Sequence, residues 1–225
     1  MRWLAVLDMD GTLLEHRTVD ILCKRLGFTD KLREIDKKSK SMDGHKVSAR
    51  IAKLFSGVKV SRMEEIFDTI PVVSGAREFV DFLKSRGFVT VIVTDSYAFL
   101  ASRLAWKLGI DTVRGNQLEL VDGVVTGKII MPLGWEEEGQ EGCQRKAVCK
   151  LHVMKNLIEE YSIQDNKTLA LGDSQNDLCI IRKARIGVAF RPKSETIVKM
   201  ADITIRTDFY NLISRLKTFL DSFGN

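Results

Sequence analysis

The sequence is poor in the residues that bind soft metals. Its 225 residues include four cysteines and three histidines, and no two cysteines form a Cys-x-x-Cys pair. A structural zinc site is therefore not expected. We predict free thiols in a cytoplasmic protein instead. The residues concerned are Cys23, Cys143, Cys149, Cys179, His16, His45 and His152.

Long apolar runs and blocks of one charge are also missing. No apolar run approaches the roughly 20 residues that span a bilayer, and the stretch after Arg2 is too short for a secretory signal. We therefore expect no membrane partner. The net charge is +5, but the lysines and arginines are dispersed, so nucleic acid is not expected as a partner either. A mildly positive surface suits a protein that attracts anionic substrates.

The N-terminal apolar stretch, Trp3 to Leu7, leads directly into two acidic residues. The stretch predicts a short buried strand. Asp8 and Asp10 are two residues apart, so on an extended chain they share a side. Gly11 then permits a sharp turn. Two carboxylates at the end of a buried strand are costly unless they are compensated, and the usual compensation is a cation.

A second acidic turn follows another apolar stretch near the C-terminus. Thr168 to Leu171 predicts a strand, and Gly172-Asp-Ser-Gln-Asn-Asp177 comes directly after it. Between the two turns, Phe88 to Val93 predicts a buried parallel strand that ends at Thr94. Strands that alternate with helices predict an α/β fold with a doubly wound parallel sheet. In such a sheet the catalytic loops lie at the carboxyl ends of the strands.

The two acidic turns are expected to share a cation if they meet. Each turn alone could be a solvated loop with helix-capping aspartates. Four converging carboxylates would repel each other by roughly 4 kcal/mol per close pair at an effective dielectric of 20. Ligands that are all oxygen point to Mg²⁺ as the cofactor. The four residues are Asp8, Asp10, Asp173 and Asp177.

Both turns resemble motifs of the haloacid dehalogenase superfamily. Asp8-x-Asp10-Gly-Thr is similar to its first motif, and Gly172-Asp-x-x-Asn-Asp177 to its fourth. The resemblance implies a Rossmann-like core in which Asp8 attacks phosphorus and forms an aspartyl-phosphate. It implies that Asp10 is the general acid and base. The implied Mg²⁺ ligands are Asp8, the Asp10 carbonyl and Asp173.

The same resemblance implies further roles in phosphate binding. Thr94 matches the hydroxyl of the second motif, and Asn176 would donate to the phosphate region. A lysine at the start of a helix would steady the nucleophile. Lys146 and Lys150 share one face of the predicted helix, and the distance to the fourth motif favours Lys150. Asp177 would hold metal-bound waters or Lys150.

Residues 15–71 predict a small helical cap inserted into a core of residues 1–14 and 72–225. Apolar spacing predicts four helices, the last opened by a capping box at Ser61. A helix from Val72 to the glycine stop at Gly87 returns the chain to the core. Asp122-Gly123 between two short strands predicts a β-hairpin flap. The cap could carry a homodimer contact.

The sequence resembles the phosphoserine phosphatase branch at one position of the cap and departs from it at two positions, one in the cap and one in the core. Arg50-Ile-Ala-Lys-Leu54 matches the arginine that grips the substrate carboxylate, although a surface helix arginine is the alternative. Arg17 stands where the branch has a glutamate for the ammonium group, and would suit a second anionic group better. Asp95 replaces the usual glycine after Thr94. It adds negative charge unless it caps the next helix.

Together with these residues, the resemblance implies a Mg²⁺-dependent phosphomonoester hydrolase that uses an aspartyl-phosphate. The expected partner is a small phosphorylated metabolite, with O-phosphoserine as the leading substrate. Phosphotransfer to an alcohol such as homoserine, or hydrolysis of another phosphorylated acid, is the alternative chemistry. A non-catalytic ligand-binding protein on the same fold is the alternative of a different class.

Overall fold

The computed structural model describes residues 2–39, 41–131 and 149–221. In these residues the centre of the fold is a seven-stranded sheet with the order β4-β3-β2-β1-β5-β6-β7. The β3–β4 pair is antiparallel, and the other neighbouring pairs are parallel. The predicted α/β fold is confirmed. The strands are β1 (Trp3–Leu7), β2 (Phe88–Tyr97), β3 (Thr112–Val121), β4 (Val124–Ile130), β5 (Thr168–Gly172), β6 (Ile186–Phe190) and β7 (Ile203–Ile205).

Helices cover both faces of the sheet, so alternate residues of one strand enter different cores. Ala5 and Leu7 pack in one apolar cluster, and Leu4 and Val6 pack in the other. The helices of the first face are α5 (Ala76–Ser85), α6 (Ala98–Leu108) and α10 (Phe209–Asp221), and those of the second are α7 (Lys150–Glu160), α8 (Leu178–Lys183) and α9 (Glu195–Met200). Within the described ranges, no helix has the length and apolar character to cross a bilayer.

Four helices lie between β1 and α5, and the chain enters and leaves this segment at one point. Leu14 pairs with Val72 in an isolated bridge, and the Glu15 N–H donates to the Pro71 carbonyl at 2.9 Å. Because Val72 is extended, α5 begins at Ala76, and the prediction of a helix from Val72 was wrong by one turn. The four helices are α1 (Thr18–Leu26), α2 (Thr29–Ser39), α3 (Gly44–Leu54) and α4 (Val60–Phe67).

The predicted capping box at Ser61 is wrong. Helix α4 begins at Val60, one residue earlier, and its N-cap residue Lys59 makes no side-chain cap bond. The cause is a tertiary contact. Lys59 pairs with Val124 of the hairpin, and the Val60 N–H donates to the Gly123 carbonyl at 2.9 Å. The hairpin backbone therefore satisfies a donor that a cap side chain would otherwise satisfy.

The predicted hairpin is confirmed as β3 and β4. Its turn residues Asp122 and Gly123 have φ values of 48° and 73°, as a type I′ turn requires. The Gly57 N–H donates to the Val125 carbonyl at 2.8 Å, and the Val125 N–H donates to Val58 at 2.9 Å. The hairpin is thus joined by its backbone to the segment between α3 and α4. The hairpin forms one side of the space between the inserted helices and the sheet.

Candidate active site

Three carboxylates converge at the carboxyl ends of β1 and β5. These strands are parallel neighbours with Leu7 opposite Leu171, so the residues that follow them emerge side by side. Carboxylate oxygens of Asp8, Asp173 and Asp177 lie within 4.8 Å of one another, and all three residues are buried. A set of hard oxygen donors this close fits a divalent cation such as Mg²⁺.

Lys150, the first residue of α7, lies between two of these acids. Its Nζ is 2.5 Å from Asp8 Oδ1 and 2.6 Å from Asp177 Oδ1. The other Asp177 oxygen accepts from the backbone N–H and the hydroxyl of Ser174, each at 3.1 Å. Asp177 therefore anchors the lysine beside Asp8. Lys146, the alternative in the sequence, lies outside the described residues.

The negative charge of the three clustered carboxylates exceeds the positive charge that Lys150 supplies. Burial raises the pKa of Asp8, Lys150 opposes that rise, and the nearby Asp177 and Asp173 add to it. Burial alone would lower the pKa of Lys150, but Asp177 and Asp8 raise it above its ordinary value. Lys150 is therefore an ammonium at neutral pH. A further cation would favour the ionised form of Asp8.

The turn after β1 brings a hydroxyl and a glycine into the cluster. Thr12 Oγ1 donates to Asp8 Oδ2 at 3.0 Å, so both Asp8 oxygens are bonded. Gly11 has a φ of +82°, and a Cβ there would lie 2.2 Å from Asp173 Oδ2. Only glycine fits both this backbone conformation and this close approach. The first and fourth motifs are thus in direct contact.

The Asp10 side chain lies apart from the three clustered carboxylates. Its Oδ1 accepts from the N–H and the Oγ1 of Thr18, at 3.0 and 2.5 Å. Burial raises the pKa of Asp10 to about 7, and the two Thr18 bonds limit the rise. The sequence analysis missed Thr18 because no motif includes it. Its position at the start of α1, where hydroxyls are common, was the available signal.

Lys193 is a second cation that the sequence analysis missed. Its Nζ lies 2.6 Å from Asp173 Oδ2, and 62% of its side chain is exposed. Burial raises the pKa of Asp173, and Lys193 opposes that rise. Lys193 follows β6, which pairs with β5 in parallel. The rule that functional loops follow the strands would have pointed to this loop.

A cavity of about 270 Å³ lies beside Asp10, between the inserted helices and the sheet. Helices α1, α2 and α3 form its outer wall, and Ile129 of the hairpin closes one side. The last residues of β2 and the turns after β1 and β5 form its floor. The lining residues are Asp10, Arg17, Val19, Asp36, Ser39, Met42, Gly44, Val47, Ser48, Ile51, Asp95, Ser96, Tyr97, Ile129 and Asn176.

The cavity brings together some of the predicted substrate residues and not others. Arg17, Asp95 and Asn176 line it. Arg50 does not: it lies on the exposed face of α3, as the surface-arginine alternative predicts. Thr94 is fully buried, and its Oγ1 accepts from the Ser96 N–H at 3.0 Å. The structure thus places an arginine in the cavity, but at position 17.

Asp95 lies where β2 loses its regular pairing. The register with β3 shifts between Val93 and Tyr97, and Asp95 and Ser96, which lie within this irregularity, line the cavity. The Asp95 carboxylate accepts from Asn176 Nδ2 at 3.2 Å. It does not cap α6, whose N-cap residue is Tyr97. The capping alternative was therefore wrong, and the Asp95 charge faces the cavity.

A doubly wound sheet with acids and a buried lysine in its strand-end loops defines an α/β enzyme with an acidic catalytic centre. The family model for haloacid dehalogenase-like hydrolases matches residues 5–182. The chain belongs to this family. The predicted superfamily and hydrolase class are confirmed.

Curated relatives point to one branch of the family. The chain is 32% identical over 219 residues to the phosphoserine phosphatase of Streptococcus thermophilus, covering 96% of each chain. It is 30% identical to the phosphoserine phosphatase of Archaeoglobus fulgidus, covering 95% of this chain and 60% of that protein. The predicted resemblance to this branch is confirmed.

Solved structures agree on the fold. A phospho-aspartyl intermediate analogue of phosphoserine phosphatase superposes with a TM-score of 0.78 at 24% identity, covering 95% of this chain and 98% of that one. A substrate-bound phosphoserine phosphatase gives 0.79 at 24% identity, covering 96% and 98%. At this identity the likeness concerns the architecture alone.

Proposed function

We propose that this protein is a Mg²⁺-dependent phosphomonoesterase that works through an aspartyl-phosphate. The observation that carries the proposal is the contact of Asp8 Oδ1 with Lys150 Nζ at 2.5 Å, inside a group of three buried carboxylates. O-Phosphoserine is the first substrate to test, because the relatives are named phosphoserine phosphatases. A cavity of about 270 Å³ suits a substrate of that size.

In the first step, an Asp8 oxygen attacks phosphorus and the ester P–O bond breaks. Asp10 gives its proton to the leaving alcohol oxygen. The pKa of about 7 keeps much of Asp10 protonated near neutral pH, which suits a general acid. Lys150 remains against Asp8 and balances part of the negative charge on the phosphoryl group.

In the second step, a water molecule attacks the phosphorus of the aspartyl-phosphate. Asp10, now a carboxylate, accepts the water proton, and the bond between phosphorus and Asp8 breaks. Inorganic phosphate and free Asp8 result. The two bonds from Thr18 hold Asp10 in one orientation for both proton transfers.

Mg²⁺ would be held by Asp8, Asp173 and the Asp10 carbonyl. When bound, it would reduce the repulsion between the anionic nucleophile and the anionic phosphate. We also propose the division into a core (1–14 and 72–225) and a cap (15–71), since Glu15 and Pro71 are hydrogen-bonded where the chain enters and leaves the inserted helices. A cytoplasmic location and a homodimer through the cap stay predictions.

Replacement of the nucleophile tests the mechanism. We expect Asp8→Asn to abolish turnover of p-nitrophenyl phosphate and of O-phosphoserine, because an amide cannot form the aspartyl-phosphate. Removal of Mg²⁺ with a chelator should also abolish turnover, and added Mg²⁺ should restore it. Phosphate release measures both. Asp30→Asn is the matched control, since Asp30 is an exposed cap residue.

Two outcomes would contradict the proposal. Full activity of Asp8→Asn, or of chelator-treated enzyme, would rule out the mechanism. No turnover of any phosphomonoester by the wild type with Mg²⁺ would favour a ligand-binding protein. Homoserine added to the assay separates phosphotransfer from hydrolysis, because phosphotransfer would yield O-phosphohomoserine in place of inorganic phosphate.

A further inference from the structure

The cavity beside Asp10 has an unequal distribution of charge. Among the described residues that line it, Arg17 is the one basic side chain, whereas Asp10, Asp36 and Asp95 are acidic. Arg17 is the residue directly before α1. It belongs to the outer wall, whereas Asp10 belongs to the floor. A phosphomonoester whose phosphorus faces Asp8 would extend its other end towards this wall.

The guanidinium of Arg17 is held on one side. Its Nη1 donates to Asp20 at 3.3 Å and to the two Asp36 oxygens at 3.4 and 3.3 Å. Within the described part of the chain, these hydrogen bonds use neither Nη2 nor Nε of Arg17. A guanidinium presents these donors as a planar fork that matches a carboxylate. With 38% of its side chain exposed, Arg17 is both oriented and accessible.

We propose that Arg17 binds the carboxylate of the substrate, so that the enzyme is specific for phosphomonoesters of small hydroxy acids. This inference rests on the proposed phosphomonoesterase activity. Arg50, the residue expected to bind that carboxylate, lies on the exposed face of α3. The amino group of a substrate such as O-phosphoserine is then dispensable, because the cavity acids that could pair with it are already bonded, Asp36 to Arg17 and Asp95 to Asn176.

Three related phosphomonoesters separate the contributions of the carboxylate and of the amino group. O-Phosphoserine has a carboxylate and an amino group, O-phosphoethanolamine lacks the carboxylate, and 3-phosphooxypropionate lacks the amino group. We expect kcat/KM for 3-phosphooxypropionate to be at least equal to that for O-phosphoserine. For O-phosphoethanolamine we expect kcat/KM to be about 100-fold lower than for O-phosphoserine, because a two-bond ionic contact in a partly enclosed site is missing.

Variants assign the effect to Arg17. We expect Arg17→Gln to reduce the preference for O-phosphoserine over O-phosphoethanolamine, measured as the ratio of their kcat/KM values, by about 10- to 100-fold. Arg17→Lys should keep part of the ratio, since it keeps the charge and loses the fork. Arg33→Gln, which removes an exposed cap arginine paired with Asp30, should leave the ratio unchanged. Because the measure is a ratio, a general loss of activity cancels.

The outcomes distinguish this inference from the activity on which it rests. If no phosphomonoester is hydrolysed, the proposed function fails. If p-nitrophenyl phosphate is hydrolysed but O-phosphoserine and O-phosphoethanolamine have equal kcat/KM values, the role of Arg17 fails alone. A ratio that falls in Arg50→Gln and not in Arg17→Gln would also overturn it. So would an absolute need for the amino group.

Discussion

Thr18 bonds to Asp10, the proposed proton-transfer residue, from outside the motifs that the sequence shares with its family. Its hydroxyl donates to Asp10 at 2.5 Å, which stabilises the carboxylate and lowers the pKa of Asp10 against the effect of burial. Thr18→Val removes this bond and keeps the backbone N–H bond. The pKa of Asp10, which is about 7 with the Thr18 bonds in place, should therefore rise. An acid catalyst must be protonated, so activity falls as pH rises through that pKa.

We thus expect the alkaline limb of the kcat/KM profile to move to higher pH in Thr18→Val, by about 0.5 to 1 unit for one lost hydrogen bond. The profile of O-phosphoserine hydrolysis between pH 5 and 10 measures the shift. Thr218→Val, a hydroxyl deletion in α10 far from the site, should leave the limb unchanged. A limb that stays in place in Thr18→Val would exclude Asp10 as the acid.

At the scale of an element, the end of β5 requires a glycine. A Cβ at Gly172 would lie 2.2 Å from Asp177 Cγ and 2.4 Å from its Cβ. Asp177 is fully buried and cannot move without losing Lys150. Gly172→Ala should therefore lower the stability by about 1–3 kcal/mol. It should also lower kcat in the protein that remains folded, because Lys150 loses its anchor.

Thermal unfolding and kcat at low temperature measure the two effects separately. Gly187→Ala is a useful comparison, because a Cβ there would lie 2.2 Å from the Ile181 carbonyl oxygen and not against Asp177. Both variants should lose stability, and the larger loss of kcat should belong to Gly172→Ala. Equal losses of kcat would mean that packing, and not the Asp177–Lys150 contact, limits activity.

Local sequence patterns did not predict correctly where several helices begin. Ser61 has the pattern of a capping box, but the hairpin backbone pairs with Lys59 and starts α4 one residue earlier. The sequence from Val72 onward has the pattern of an amphipathic helix, but the bridge of Val72 to Leu14 holds this residue extended. In both cases a residue distant in sequence supplies the deciding hydrogen bond. A pattern that spans only a few residues contains no information about such a distant partner.

At the scale of the whole molecule, the order of the motifs and the apolar character of the strands predicted the centre of the site better than its edge. Asp8 and Asp173 follow buried apolar strands, and parallel pairing of β1 with β5 brings them together. Arg50 and Lys193 show what the sequence could not predict. A motif gives the residue type, but which face of a helix meets the cavity, or how a surface lysine folds back, depends on tertiary packing. Arg50 faces outward and Lys193 turns inward to Asp173.

The acidic centre should also couple cation binding to the stability of the whole chain. Burial raises the pKa values of Asp8 and Asp173, which shows that folding places these acids where their charges are poorly compensated. A cation that binds the folded state alone stabilises it by about 2.7 kcal/mol at 100 times its Kd. For a chain of this length we expect Mg²⁺ to raise Tm by roughly 5–10 °C.

Calorimetry of the wild type and of Asp173→Asn, each with and without Mg²⁺, measures this coupling without any substrate. Asp173→Asn should lose most of the Mg²⁺-dependent rise, because it removes one carboxylate of the cluster, and Asp30→Asn should keep it. Asp173→Asn without Mg²⁺ should be no less stable than the wild type, since the loss of a crowded charge offsets the loss of the Lys193 contact. An equal rise in all three proteins would place the cation elsewhere. Such a result would leave the buried carboxylates compensated by Lys150 and Lys193 alone.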